Sequence, residues 1–274
     1  MTARGPVGLS RRLLLADVLA VGAGLLPGCR SSSAVRGEAL PGPFARRSLD
    51  LTHTLSPEFP FIPVQNKTFP FRSTVIATVS ADGVYANRWE LTEHVGTHLD
   101  APCHFIEGGL AVDQIPVDSL IVPLAVISIA QRVTTDPDSV VADELVSWER
   151  AHGRLPERVA VFLHTGWEAR VADARAFVNM DAQGTMHFPG FSEGAVDFLL
   201  NERSISGIGI DTLSIDPGRD TRYPVHKRLF SAGKWAVECL ARLREVPASG
   251  ATVCVLPTKV KGASGAPARV IAFW

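Results

Sequence analysis

Charge of one sign is what this 274-residue chain lacks most clearly: 27 lysines and arginines stand against 28 aspartates and glutamates, a formal net charge of −1. The basic residues are scattered and form no stripe, so the electrostatic footprint of a nucleic-acid binder is missing. Cysteine is scarce as well, with four in all, too few to serve as a disulfide scaffold in a chain this long. Once Cys29 is set aside with the N-terminal segment, Cys103, Cys239 and Cys254 remain, an odd number in apolar contexts, and buried thiols are expected. With 46% hydrophobic residues the chain has enough apolar material for one domain with a substantial core.

The first 29 residues read as an export signal rather than as part of the fold. Ser10-Arg11-Arg12-Leu13 opens an apolar run to Leu26 that contains Asp17 and several glycines and is too short to span a bilayer. The paired arginines resemble a twin-arginine signal, and Leu26-Pro27-Gly28-Cys29 resembles a lipobox with an unusual proline, so a lipid anchor at Cys29 is a weaker expectation than export. Residues 30–47, rich in Ser, Gly and Pro, read as a linker, and the folded domain is expected over 48–274.

Within that domain, β-rich runs at 49–55, 74–79, 121–129, 159–163, 205–210, 252–256 and 269–273 alternate with helical spacing at 142–151 and 192–203, where Ser192 is a plausible N-cap. The mixture predicts an α/β fold with a central mixed sheet and no internal repeat. Asp211 and Asp216, beside Thr, Ser and Gly, read more readily as turn residues than as part of a site.

The chemistry is concentrated in Glu93-His94-Val95-Gly96-Thr97-His98-Leu99-Asp100-Ala101-Pro102-Cys103-His104-Phe105, which places three of the eight histidines and one aspartate within eleven positions. Each buried imidazole or carboxylate needs a polar partner, and a shared divalent cation would satisfy all of them. His98 and Asp100 share one face of an extended chain, and Gly96 lets the backbone bend so that His94 reaches the same ion. His104 continues that parity but lies roughly 20 Å from His98 along an extended chain and approaches the ion only if the chain curves at Pro102, which assigns it to proton transfer as a neutral imidazole. His226 and Glu238 further on say little by spacing alone, and His53, His152, His164 and His187 take the structural reading.

The ordered residues His94, Gly96, Thr97, His98, Asp100, Pro102 and His104 reproduce the pattern His-x-Gly-Thr-His-x-Asp-x-Pro-x-His. With Thr165-Gly166-Trp167, Phe188-Pro189-Gly190, the 209–218 loop and the 262–269 segment, the chain resembles the metal-dependent cyclase-like hydrolases that include bacterial kynurenine formamidase and isatin hydrolase. The resemblance implies a swivelling β/β/α-type fold, a homodimer or larger homo-oligomer, and metal-activated water cleaving a carbon–nitrogen amide bond in an aryl formamide or a cyclic amide. It also implies that His94, His98 and Asp100 hold a first ion, that His226 and Glu238 complete a second with Asp100 as bridge, and that His104 is the acid/base. Where formamidases carry Pro-Val-Trp-Pro-Gly, this chain has Pro60-Phe61-Ile62-Pro63-Val64, so another aromatic wall is expected from Phe59, Phe61, Phe69 or Phe71.

Manganese or zinc fits these ligands. Export of an already folded protein favours manganese, which is otherwise displaced by zinc and copper under the Irving–Williams order, whereas His226 and Glu238 favour zinc. Two alternatives share the motif: an exported metal- or small-ligand-binding lipoprotein without turnover, and a lyase or cyclase on the same scaffold. Retention of His104 speaks against the first, since storage needs no proton shuttle.

Overall fold

The computed structural model describes residues 47–274 apart from 65, 66 and 142. The expected leader, Cys29 and nearly all of the linker therefore lie outside the described residues. In chain order the strands are Ser48–Asp50 (β1), Arg72–Ala77 (β2), Ala86–Glu90 (β3), His98–Asp100 (β4), Ile121–Ser128 (β5) and Val140–Val141 (β6). They continue with Val159–His164 (β7), Gly190–Phe191 (β8), Ile205–Ile210 (β9), Trp235–Glu238 (β10), Ala251–Pro257 (β11) and Gly265–Phe273 (β12).

β7 and β9 are unbroken runs of small and branched apolar residues with every position buried, the composition of strands covered on both faces. With β5 and β10 they form the parallel part of the sheet, β5–β7–β9–β10. β11, β12 and β4 join antiparallel, and β4 pairs with both β10 and β12, so the sheet closes on itself as a seven-stranded ring with β1 added along β12. The α/β mixed-sheet expectation is met, and the closure adds what periodicity could not show.

Strand alternation separates two apolar layers. Ala160 and Phe162 of β7 point inside the ring with Leu99, Leu124, Val237, Val253 and Val270. Val159, Val161 and Leu163 point outside, where the helices Glu144–His152, Glu193–Asn201 and Pro224–Ser231 cover them with Trp148, Leu199 and Leu229. Glycines in β9 permit the close approach of strands at full burial: a Cβ on Gly207 would lie 2.3 Å from the Trp235 ring. Ser192 caps its helix as expected, accepting the Ala195 amide at 3.1 Å.

Several boundaries differ from the sequence expectation. The first strand stops at Asp50 rather than reaching Leu55, and the helix expected from 142 starts at Glu144. β12 begins at Gly265, four residues earlier than its apolar pattern starts, because Gly265–Pro267 pairs with β4. The chain also makes the curve at Pro102 that His104 needs to approach the ion. The extended parity ends at Asp100, and Pro102 opens a 3₁₀ turn, Pro102–His104, that folds the chain back toward the preceding histidines.

Candidate metal centre

β4 and β10 build the floor of the site. Because Leu99 and Val237 enter the ring, His98, Asp100 and Glu238 must face outward, and the register sets Glu238 directly across from His98. The helix Pro224–Ser231 lies over this face and supplies His226 from its first turn. All four side chains are buried, none more than 5% exposed.

Outer hydrogen bonds decide which ring nitrogens face inward. His98 Nδ1 lies 2.8 Å from the Gly96 carbonyl, which only accepts, so Nδ1 donates outward and Nε2 is the nitrogen left to face inward. His226 Nδ1 lies 2.6 Å from Asp216 Oδ2 and is fixed in the same way. The two Nε2 atoms then converge on the carboxylates: His98 Nε2 is 3.2 Å from Asp100 and 3.4 Å from Glu238, and His226 Nε2 is 3.4 Å from Asp100 and 3.2 Å from Glu238.

Imidazole nitrogens facing carboxylate oxygens require positive charge between them, either a proton or a cation. His98 Nε2 is buried with no hydrogen-bond partner, although charged oxygens stand beside it. Burial opposes protonation of this ring, but Asp100 and Glu238 outweigh it and carry the pKa to about 10. His226 is likewise driven well above the usual imidazole range, burial being overcome by Asp100, Asp216 and Glu238. A divalent cation would supply that charge at a set of imidazole and carboxylate donors suited to it. The residues present therefore fit a metal ion.

His94 joins from the rim. Its Nδ1 is 2.6 Å from Asp100 Oδ1 and its Nε2 is 3.0 Å from Ser264 Oγ. Ser264 donates its hydroxyl to Glu93 Oε2 at 2.5 Å and its amide to the same oxygen at 3.0 Å, so Ser264 Oγ accepts from His94 Nε2, while His94 Nδ1 faces Asp100. Gly265 makes room for this ring, since a Cβ there would lie 2.4 Å from His94 Cε1. His104, delivered by the 3₁₀ turn, stacks on His94 with centroids 3.8 Å apart. Burial lowers its pKa to about 4, which keeps the ring neutral.

By the spacing of their donor atoms these residues fall into two sets, His98, Asp100, Glu238 and His94, Asp100, His104, each within 4.8 Å and both sharing Asp100. The six residues singled out in the sequence thus line one cavity of about 340 Å³. Its opposite wall is apolar and includes Phe61, Ile62, Phe105 and Tyr223. Of the four phenylalanines expected to form an aromatic wall, only Phe61 does so: Phe59 and Phe71 are buried away from it, and Phe69 is exposed.

Asp211 does not serve its own turn: from the end of β9 its carboxylate reaches across to the loop after β7 and collects the amides of Thr165, Gly166 and Trp167. Asp216 does more than the turn reading allowed. It accepts the Val225 and His226 amides at the helix start and also locks the His226 ring. Ser264, Glu93, Phe105 and Tyr223 take no site role from the sequence, whereas Asp216, ten residues before His226 and just past a strand end, has the site role that ranked second to the turn reading. Among the remaining histidines, His164 pairs with Ser128 Oγ at 2.9 Å and His187 bridges Asp138 and Asp181 at the surface.

Known proteins carry the same fold and sequence pattern. The Cyclase family matches residues 49–217. An isatin hydrolase of Roseibium aggregatum is 32% identical over 82% of this chain and 90% of its own length. A kynurenine formamidase of Paracidovorax citrulli is 29% identical over 80% of this chain and 91% of its own length. Among solved structures, isatin hydrolase A from Ralstonia solanacearum superposes with a TM-score of 0.78 at 35% identity, covering 82% of this chain and 91% of that one. An isatin hydrolase bound to the product analogue thioisatinate also reaches 0.78, at 30% identity over 83% and 92%. This chain belongs to the cyclase family of metal-dependent hydrolases, alongside the isatin hydrolases and kynurenine formamidases.

Proposed function

We propose that the chain hydrolyses the carbon–nitrogen bond of an aryl formamide or a cyclic aryl amide. The observation that carries this reading is the convergence of inward-facing imidazole nitrogens on Asp100 and Glu238, beside a neutral His104, in a cavity with an aromatic opposite wall. His98, Asp100, His226 and Glu238, with His94 at the rim, would hold one or two ions of manganese or zinc, and Asp100 is the residue common to both sets. A bound divalent cation polarises the amide carbonyl and lowers the pKa of water toward neutrality.

The chain's own residues supply the proton transfers. His104 is neutral and can accept a proton from the attacking water. It returns that proton to the leaving nitrogen, so water adds as oxygen to the carbonyl carbon and hydrogen to the amine. Phe61, Phe105 and Tyr223 exclude water from the aryl side. The 3₁₀ turn after Asp100 and the stack on His94 keep His104 beside the donor set.

Elemental analysis of the purified mature domain, run beside hydrolysis assays on formanilides and aryl lactams, tests the reading. Stoichiometric manganese or zinc with turnover is expected. A metal-loaded protein that turns over none of these amides would overturn it and favour ligand binding without catalysis.

Two further parts of the proposal concern the protein's setting. Export by the twin-arginine route rests on Arg11 and Arg12, and normal export of a double lysine variant would overturn it. Self-association rests on the β2–β3 hairpin, where Trp89 is 67% and Ile76 is 62% exposed. Two-stranded ribbons of this kind are marginal alone in water, and a second copy would cover this one. Sedimentation of the wild type as a monomer would overturn that part.

A further inference from the structure

Five non-glycine residues among those described have a left-handed backbone: Arg158, Asn179, Tyr223, Cys239 and Arg242. Two of them, Tyr223 and Cys239, line the cavity. Tyr223 is the harder to explain locally. Its φ and ψ are 53° and 52°, a region that a bulky side chain rarely enters. It also precedes Pro224, whose ring steers the residue before it toward the extended region.

The start of the helix does not demand this conformation. The helix Glu193–Asn201 begins from an extended residue, Ser192 at φ −86° and ψ 155°, and Pro224 would accept a similar approach at its first helical position. What the left-handed turn accomplishes is the direction of the ring. The Tyr223 ring stands 5.4 Å from Phe105 and 5.9 Å from His226, while Phe105 is 4.8 Å from His226. The two aromatic rings thus form a surface next to the histidine–carboxylate group. Strained backbone persists where surrounding structure holds it for function.

We propose that Tyr223 is a specificity-determining residue: its left-handed backbone holds the phenol ring beside Phe105 so that the aryl group of the substrate packs against it while the amide reaches the metal centre. This assignment rests on the aryl-amide reading above. Its own content is the selectivity for an aryl over an alkyl group and the residue that provides it. Edge or offset contact between rings is the physical source of that selectivity.

Tyr223→Gly removes the ring and suits the left-handed backbone, so the fold is kept. Tyr223→Phe keeps the ring and removes the hydroxyl. The measured quantity is the ratio of kcat/KM for formanilide to that for N-methylformamide. We expect this ratio to fall by about 10-fold in Tyr223→Gly and to stay within about 3-fold of wild type in Tyr223→Phe, as an aromatic contact predicts. Calorimetric binding of benzamide and acetamide to the metal-loaded proteins is measured in parallel. Loss of benzamide preference in the glycine variant alone supports the proposal even if no amide is turned over, in which case only the hydrolytic reading falls. An unmoved preference in Tyr223→Gly, or equal loss in Tyr223→Phe, overturns the proposal.

Discussion

Two groups of histidines and aspartates in this molecule have similar composition and opposite character. At the surface, the His187 side chain, 31% exposed, places Nδ1 2.9 Å from Asp138 and Nε2 3.2 Å from Asp181. Both nitrogens are spent on carboxylates, and solvent reaches the group. In the cavity, His98 and His226 spend only Nδ1, on the Gly96 carbonyl and on Asp216, and turn Nε2 toward Asp100 and Glu238. An exposed ion pair contributes about 0–1 kcal/mol, whereas a buried polar atom without a partner costs about 1–3 kcal/mol. Residue types alone therefore do not make a metal site. The outer hydrogen bond that fixes the tautomer, together with burial, separates a donor set from a surface bridge.

The largest expected difference follows from that separation. His98→Ala or Asp100→Ala should lose both bound metal and activity, because each removes a donor that other buried donors face. His187→Ala should lose neither. Elemental analysis and rate measurements on the same preparations check this, and full metal occupancy in Asp100→Ala would break the comparison.

His104 sharpens it within the cavity. As a neutral ring assigned to proton transfer, its replacement by alanine should lower turnover by about 10²- to 10⁴-fold and leave the metal in place. Metal lost along with activity would move His104 among the ligands, where its spacing to His94 and Asp100 would allow it.

A smaller effect is expected at the rim. Ser264 Oγ accepts from His94 Nε2 and donates its hydroxyl to Glu93. Ser264→Ala removes the contact that orients His94 and should weaken metal affinity by about 10- to 100-fold, as outer partners of ligating histidines do. Competition with a chromogenic chelator measures it, and unchanged affinity would show that Gly265 and Asp100 suffice to hold the ring.

These contrasts also explain what could be read from the chain. His94, His98 and Asp100 were legible because three polar donors and a glycine fall within seven positions, and local spacing survives folding. β5, β7 and β9 were legible as short, Val- and Ile-rich runs, and β7 and β9 are buried at every position. β4 and β10 were not, since three or four residues carry little periodicity, and their pairing depends on ring closure. His226 and Glu238 rested on resemblance alone for the same reason: β10 and a helix start bring them to β4 from more than 120 positions away. The curve that brings His104 in was legible only as a condition, because parity continues through Pro102, whereas a proline at the first position of a turn stops it. Ser264 looked like part of a small-residue loop, and only the fold reveals that it holds an imidazole.

The smallest expected effect belongs to the surface group and depends on pH. Hydrogen bonds that His187 donates to Asp138 and Asp181 raise its pKa above the ordinary 6.5, with Arg219 a nearby cation 4.0 Å from Asp138. A group with a raised folded pKa contributes its stabilisation fully below the unfolded value and loses it as pH rises through the folded value. The bridge should therefore stabilise the protein below about pH 6.5 and contribute progressively less above it. Asp181, whose carboxylate is held below its usual range chiefly by the Thr185 amide, sets the acid limit, because protonating it removes one arm of the bridge. Urea midpoints of wild type and His187→Gln should differ at pH 5.5 and converge by pH 9, with bound metal the same in both proteins. A difference that persists at pH 9 would mean that His187 acts through packing or neutral hydrogen bonds, and the charge-based contrast with the cavity histidines would fail.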